Sequence, residues 1–136
     1  RRNRGAGRMN TLYTATIHGA PRTKKNSQRI FYNKVTGKRL VAPSAQYKEF
    51  EVTSLAQLRK PVQAIVEPSN VKCVYYMPTH RKVDLCNLLE ATCDILTRAG
   101  VLADDNSDIV ASHDGSRVLY DKNYPRTEIT ITEATE

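Results

Sequence analysis

The feature that most constrains the fold is an amphipathic segment in the second half of the chain, LCNLLEATCDILTRA, residues 85–99. On a helical wheel with about 100° per residue, its apolar and polar side chains occupy opposite sides. The apolar side comprises Leu85, Leu88, Leu89, Thr92, Ile95, Leu96 and Ala99, and the polar side comprises Asn87, Glu90, Asp94 and Arg98. Asp84 stands at the N-cap position and Gly100 stands where a terminating glycine is expected. The segment therefore predicts a helix that buries one face against a core.

Strand and helix patterns occupy the chain before this helix. Residues 11–18, TLYTATIH, alternate apolar side chains with threonines and predict a half-buried strand, and residues 30–41 predict a β-hairpin. Residues 43–60, PSAQYKEFEVTSLAQLRK, predict a second helix with Ser44 as its N-cap and Pro61 as its end. Its buried stripe is expected to comprise Tyr47, Phe50, Leu55 and Leu58.

Shorter strand patterns complete the chain. VQAIV at 62–66 and VKCVYY at 71–76 predict two strands joined by a turn at residues 68–70. After the long helix, three more strands are predicted at 108–112, 116–120 and 127–132, with Asp114 and Gly115 in a turn or bulge. Because the strands surround two helices without a repeating strand–helix alternation, we expect an α+β fold, a small mixed sheet with two main helices packed on it.

Composition narrows the class of protein. The chain has 136 residues, enough for one domain with its own core, and 40% of them are hydrophobic and 26% charged. No apolar run approaches the roughly 20 residues that a membrane-spanning helix needs, so no membrane partner is expected. The three cysteines, Cys73, Cys86 and Cys93, form no Cys-x-x-Cys pair. They favour a reducing, cytosolic setting over a disulfide framework or a zinc site, and Cys73 and Cys93 are expected in the core.

The net charge of +7 is concentrated at the N-terminus. Residues 1–8, RRNRGAGR, contain four arginines and no acidic residue, and without them the excess falls from +7 to +3. We interpret this segment as a disordered leader or tag ahead of Met9, with a nucleic-acid-binding arm as the alternative, and assign one domain to residues 9–136. The remaining charge is compatible with nucleic acid without requiring it.

Carboxylates flank the predicted long helix. Asp84 precedes it, directly after the basic segment 80–82, and Asp104 and Asp105 follow it in LADDNSD. Grouped carboxylates hold Mg²⁺, and the metal can activate water and neutralise charge on a phosphodiester. Composition and spacing alone favour a structural alternative, in which Asp84 is only a helix cap and the acidic run is a solvated turn.

The segment RKVDLCNLLEATCDILTRAGVLADD, residues 81–105, resembles the signature of the RusA family of crossover-junction endodeoxyribonucleases. In that signature, basic residues precede Asp-Leu-Asp-Asn-Leu, a helix with Asp-x-Leu follows, and Ala-Gly and Asp-Asp close the motif. The similarity extends more loosely over residues 9–132. It implies a small homodimer of phage type that cuts four-way (Holliday) DNA junctions with Mg²⁺ in the cytosol or nucleoid of a bacterial host.

Carried onto this sequence, the family's acidic residues are Asp84 and Asp105, with Asp104 beside Asp105. The family's second aspartate falls at Cys86, whose thiol is a poor Mg²⁺ ligand, and a family lysine falls at Glu90. Because Cys86 and Glu90 are four residues apart, they share a helix face, and we hypothesise that Glu90 supplies the missing carboxylate to the metal. The alternative is a degenerate site in a protein that binds branched DNA without cutting it.

Helix length limits how these acids can meet. Fifteen helical residues span about 22 Å, whereas the chain from Gly100 to Asp105 reaches at most about 18 Å. Asp105 can therefore barely return to Asp84 within one chain, and acids pooled from two subunits are the other solution.

Basic residues suited to DNA backbone contact lie in three places. A loop before the hairpin carries Lys24, Lys25, Asn26 and Arg29; the signature carries Arg81 and Lys82; and Arg117 follows the Asp-Gly turn. Tyr32 is a candidate for stacking on an unpaired base. The structural alternative for the loop is that its charged side chains are simply solvated. The structural alternative for Tyr32 is that its ring packs within a strand.

Overall fold

The computed structural model describes residues 10–24, 28–32 and 34–134, with the backbone alone described for 28–32 and 40–43. The elements in chain order are β1 (Thr11–His18), β2 (Gln28–Tyr32), β3 (Arg39–Pro43), α1 (Ala45–Gln57), β4 (Ser69–Met77), α2 (Leu85–Arg98), β5 (Val110–Ser112), β6 (Arg117–Tyr120) and β7 (Arg126–Glu133). None of the helices in this part of the chain is long and apolar enough to cross a membrane.

Five strands form one mixed sheet in the order β1-β7-β4-β5, with β6 also paired to β4. The β1–β7 and β7–β4 pairs are antiparallel, and both β5 and β6 run parallel to β4. Strands β2 and β3 form a separate antiparallel hairpin. The predicted α+β fold, a small mixed sheet with two helices, is confirmed.

The core lies between the sheet and α2. The buried face of α2 comprises Leu88, Ala91, Thr92, Cys93, Ile95 and Leu96, which includes four of the predicted apolar positions. It packs against alternate residues of β4 and β7, including Val71, Cys73, Tyr75, Ile129 and Ile131. A hydrogen bond of 2.7 Å joins the Tyr75 hydroxyl to Thr92 Oγ1, so these two polar groups inside the interface are satisfied. Burying each large aliphatic side chain here contributes roughly 1.5–3 kcal/mol, and this packing fixes the position of α2.

Capping signals define both helices as predicted. Ser44 Oγ accepts a hydrogen bond from the Tyr47 backbone N–H at 3.1 Å at the start of α1. At the end of α2, Gly100 has φ of 79°, a conformation that favours glycine, and its N–H donates to the Thr97 carbonyl oxygen at 3.1 Å. This turn sends the chain back toward the sheet.

Three local predictions are wrong. Residues 62–66 form no strand, because only Ile65 is buried there, and its backbone makes a single isolated bridge to Leu102. The predicted turn at residues 68–70 is instead the start of β4, since Ser69 and Asn70 pair with β7. Helix α1 ends at Gln57, four residues before Pro61, so the proline is not what terminates it.

Candidate functional site

Asp84 is fixed at the N-terminus of α2. Its Oδ1 accepts a hydrogen bond from the backbone N–H of Cys86 at 2.9 Å, so the predicted N-cap role is confirmed. The residue is exposed. A cap uses one carboxylate oxygen, and therefore the second oxygen of Asp84 can face a ligand in solvent.

The segment that leads into Asp84 is basic and exposed. Arg81 and Lys82 lie in the irregular connection between β4 and α2, and both are exposed. The preceding His80 stacks on Tyr120 of β6, with 3.7 Å between ring centroids. Two exposed cations therefore precede Asp84 by two or three residues at the end of the sheet where β4 terminates, an arrangement that suits a phosphate ligand.

The outward face of α2 carries Cys86, Glu90 and Asp94 at four-residue spacing, so they follow one another along the helix. Cys86 is a free, exposed thiol. Glu90 is exposed and borders a cavity of about 20 Å³, together with Lys24, Asn87 and Ala91. That volume suits a single water molecule.

Lys24 reaches this face from the loop after β1. Its ammonium lies 2.7 Å from Asp94 Oδ2 and 5.9 Å from the centre of the Tyr47 ring. Buried Pro21 and Thr23 anchor the loop directly before it. Lys24, predicted to contact DNA, is thus engaged with a carboxylate of its own chain.

Sequence analysis did not assign Asp94 or Asn87 to a site. The four-residue spacing from Glu90 to Asp94 was visible in the sequence, but the partner of Asp94 lies 70 residues earlier in the chain. Only the packing of the loop against α2 brings that cation to the helix.

The acidic loop after α2 is stabilised by hydrogen bonds from its own side chains. Asp104 Oδ1 accepts from the Asp105 backbone N–H at 2.7 Å, and Asp104 Oδ2 accepts from Asn106 Nδ2 at 3.1 Å, so Asp104 stabilises the turn itself. Burial raises the pKa of the Cys93 thiol to about 12, with smaller contributions from the Asp105 and Asp94 charges. Asp105 therefore lies within electrostatic range of Cys93, which is in the C-terminal half of α2.

The predicted acidic residues do not converge in one chain. Within the described part of the chain, no group of three or more His, Cys, Asp or Glu side chains is arranged to hold a metal ion. The donor chemistry nevertheless suits Mg²⁺, because Asp84, Glu90 and Asp105 are exposed carboxylates. Mg²⁺ is commonly held by one or two carboxylates together with water and substrate phosphates.

Arg117, which is predicted to contact DNA, and the neighbouring His113 lie apart from the connection that carries Asp84. Arg117 is exposed at the start of β6, at the opposite end of that strand from Tyr120. His113 Nδ1 lies 2.8 Å from the Val71 carbonyl oxygen, which indicates a structural role for that histidine. Lys25 and Asn26 lie outside the described residues, as do the side chains of Arg29 and Tyr32.

A comparison with protein-family models decides the class of protein. The model described as "Endodeoxyribonuclease RusA" matches residues 18–132, most of the chain. The chain belongs to the RusA endodeoxyribonuclease family. No curated protein matches the sequence.

Membership in the RusA family confirms the prediction of an endodeoxyribonuclease. The family acts on Holliday junction DNA, and its nucleases generally depend on a divalent metal. The matched range contains β4, the basic segment, α2 and the acidic loop, so the whole candidate site lies within the RusA match.

Proposed function

We propose that this RusA-family chain is a Mg²⁺-dependent, structure-selective endonuclease that resolves four-way junctions by paired phosphodiester hydrolysis. The observation that carries the proposal is the placement of Asp84. One oxygen of this carboxylate is used by the helix cap, the other is available, and exposed Arg81 and Lys82 precede it. An anionic group beside two cations suits a metal that bridges to a phosphate.

We assign metal binding to Asp84 and Asp105, assisted by Glu90 and Asp104. When bound, Mg²⁺ would neutralise charge on the scissile phosphate and favour deprotonation of the attacking water. Asp104 contributes through the turn that it stabilises, because both its oxygens already accept hydrogen bonds there. Glu90 lies on α2 six residues after Asp84 and supplies the carboxylate that Cys86 lacks.

Two chains would complete the site. The described acids of one chain form no group of three that could hold a metal ion, and a two-fold homodimer would bring a second set close to the first. A four-way junction presents two symmetry-related strands for cleavage, which matches a two-fold enzyme. A phage or prophage origin and a bacterial cytosolic setting are further expectations from the family resemblance.

We assign DNA backbone contacts to Arg81 and Lys82 first, because both are exposed beside Asp84. Arg117 lies farther along the same sheet and suits contact with a junction arm. The predicted contacts of Lys25, Asn26 and Arg29 stay predictions, since their side chains lie outside the described structure.

The second candidate function is junction binding without cleavage. It is favoured by Cys86, an exposed thiol at a position where the family signature has an aspartate. A thiol does not replace a hard oxygen ligand for Mg²⁺. If Glu90 does not compensate, the same surface would hold branched DNA without cutting it.

A cleavage assay on labelled junctions separates the two functions. Asp84→Asn is the informative variant because asparagine caps a helix as well as aspartate does, so the fold is retained while a charged ligand is removed. Asp108→Asn is the matched control, because it makes the same chemical change in the acidic loop after α2, at a residue outside the proposed site. Mg²⁺-dependent cleavage by the wild type and Asp108→Asn but not Asp84→Asn supports the nuclease. Tight junction binding with no cleavage by any of them supports the binding protein.

A further inference from the structure

Two histidine–tyrosine pairs lie at the edge of the sheet where β4 ends. His80 and Tyr120 are stacked with 3.7 Å between their centroids and 22° between their planes. His18 and Tyr124 are stacked at 5.5 Å and 23°, and the Tyr124 hydroxyl lies 3.0 Å from His18 Nδ1. Neither pair is adjacent in sequence, so only the fold brings the rings together.

Strand pairing explains why these residues share an edge. β6 runs parallel to β4, so Tyr120 pairs with Met77, the last residue of β4. β7 runs antiparallel to β4, so its first residue, Arg126, pairs with Tyr76. Arg126 also pairs with His18 at the end of β1. Four strand ends therefore meet at this edge, a few residues before Asp84.

Arg126 rigidifies the edge. Its guanidinium lies 3.7 Å from the Tyr76 ring centre and 4.3 Å from the Tyr124 ring centre. It also forms ion pairs with Glu128 at 2.9 Å and with Asp121 at 3.0 Å. Asp121 in turn accepts the Tyr124 backbone N–H at 3.1 Å, which fixes the turn before β7. The charges of Asp121 and Glu128 are thereby neutralised locally, and the Tyr124 ring is held in place.

Both tyrosines are partly exposed despite this support. Tyr120 is 44% exposed and Tyr124 is 45% exposed. Arg81, Lys82 and Lys122 are exposed cations in the same connections. A rigid surface that combines flat aromatic faces with surrounding positive charge suits a ligand with flat bases and a negative backbone, a single-stranded or unpaired segment of nucleic acid.

We propose that Tyr120 and Tyr124, supported by His80, His18 and Arg126, form a stacking platform for unpaired bases at the centre of a branched DNA. The inference rests on the proposed function and specifies which part of the substrate this edge contacts. The chain from His80 to Asp84 spans at most about 14 Å, so the His80–Tyr120 part of the platform lies within about four nucleotides of the phosphate that Asp84 addresses. The platform would therefore hold bases at the branch point beside the cleaved strands.

Photocross-linking tests the platform directly. The full chain with Asp84→Asn is bound to a four-way junction that carries 5-iodouracil at the branch point, or in the middle of one arm, and the cross-linked residue is identified by mass spectrometry. We expect branch-point cross-links to Tyr120 or Tyr124 and none from mid-arm positions. Cross-links to other residues alone would overturn the inference.

Ring removal supplies a second measurement. Tyr120→Leu and Tyr124→Leu should each weaken junction binding about tenfold while leaving duplex binding unchanged, and Tyr120→Phe should bind as the wild type does. Val62→Ala, at a fully exposed apolar residue before β4, is the control for general loss of apolar surface. Unchanged junction affinity in both Leu variants would overturn the platform while the nuclease proposal stands. Failure of the wild type to bind junctions would contradict both the platform and the nuclease proposal.

A second copy of the chain is the competing occupant of this surface. Sedimentation of each variant without DNA decides between the two. Unchanged oligomeric state in Tyr120→Leu is expected, whereas conversion of a dimer to monomers would show that the tyrosines form a protein interface and would contradict the base platform.

Discussion

The Lys24 ammonium lies 2.7 Å from the Asp94 carboxylate, and this ion pair joins the loop after β1 to the outward face of α2. Asp94 follows Glu90 by one helical turn, and like charges at that spacing repel each other. Lys24 offsets this repulsion, and it borders the same small cavity as Glu90. Its first role in the free protein is therefore to hold the acidic face of α2 in place.

Salt dependence of junction binding distinguishes Lys24 from Lys82. Lys82→Met should lower the slope of log affinity against log salt by about 0.9, because an exposed cation that contacts one phosphate releases about one counterion. Lys24→Met should leave the slope nearly unchanged, since its charge is already paired with Asp94. Equal slope changes in the two variants would contradict this assignment.

The stability contribution of the Lys24–Asp94 pair should be small. Their side chains are 41% and 34% exposed, so solvent screens the pair. A double-mutant cycle of Lys24→Met and Asp94→Asn, followed by urea unfolding, should give a coupling free energy of about 0.2–1 kcal/mol. The coupling should decrease in 1 M salt, and a coupling that persists there would indicate an interaction other than this ion pair.

Asp84 has a capping role and a proposed catalytic role, and two variants separate them. Asp84→Asn should abolish cleavage with little change in the free energy of unfolding, because asparagine retains the cap. Asp84→Ala should abolish cleavage and also lower the free energy of unfolding by about 1 kcal/mol. Urea unfolding and junction cleavage on both variants provide the check. Normal cleavage by Asp84→Asn would restrict Asp84 to a structural role.

Variants of Glu90 and Cys86 test whether Glu90 supplies the carboxylate that the family signature has at the position of Cys86. Glu90→Gln should lower cleavage more than tenfold, because it removes the charge that we assign to the metal. Cys86→Asp should restore cleavage in the Glu90→Gln background, since it places a carboxylate one turn earlier on the same helix face. Asp is also favourable in the first turn of α2, so the helix should not be destabilised. Full activity in Glu90→Gln would remove Glu90 from the site and leave the rest of the proposal intact.

The buried thiols predict how stability depends on pH. Burial raises the pKa of both Cys73 and Cys93 from 9.0 to about 12. The folded chain thus retains these protons at pH values where the unfolded chain loses them. Their contribution to stability should be fully present below pH 9 and should fall as the pH rises from 9 toward 12. Urea unfolding between pH 8 and pH 10.5 should show this decrease, and stability that rises over that interval would contradict it.

Thiol labelling provides an independent check on the same residues. Of the three cysteines only Cys86 is exposed, so one thiol per chain should react rapidly with a disulfide reagent at pH 8. Cys86→Ser should abolish the fast phase. A fast phase of two or three thiols would show that the contact between α2 and β4 opens readily.

Local signals made α2 predictable. Asp84, Gly100 and the apolar stripe all act within a few residues of the helix, and the structure contains each of them as expected. Residues 62–66 have a similar apolar composition, but Val62 and Val66 are exposed, and the only pairing of this segment with the described residues is the bridge from Ile65 to Leu102. Composition could not reveal how little of the described chain pairs with this segment.

Contacts between distant segments were not predictable in the same way. Lys24 meets Asp94 because a loop packs across α2, and His80 meets Tyr120 because β6 runs parallel to β4. Chain lengths indicated that Asp105 could barely return to Asp84, and within the described residues no three acidic side chains are grouped to hold a metal ion. The resemblance to the RusA signature identified the acids, but only the fold shows that they do not form such a group in one chain.

The measurement that tests the central proposal most directly is cleavage of a supercoiled plasmid that extrudes a cruciform. Two symmetric nicks made within the lifetime of one complex convert such a plasmid to linear DNA, whereas independent nicks accumulate first as open circles. We predict Mg²⁺-dependent linear product with the wild type and none with Asp84→Asn or with EDTA. Tight binding of the cruciform with no cleavage in Mg²⁺ would contradict the proposal and identify the protein as a junction-binding relative of the nucleases.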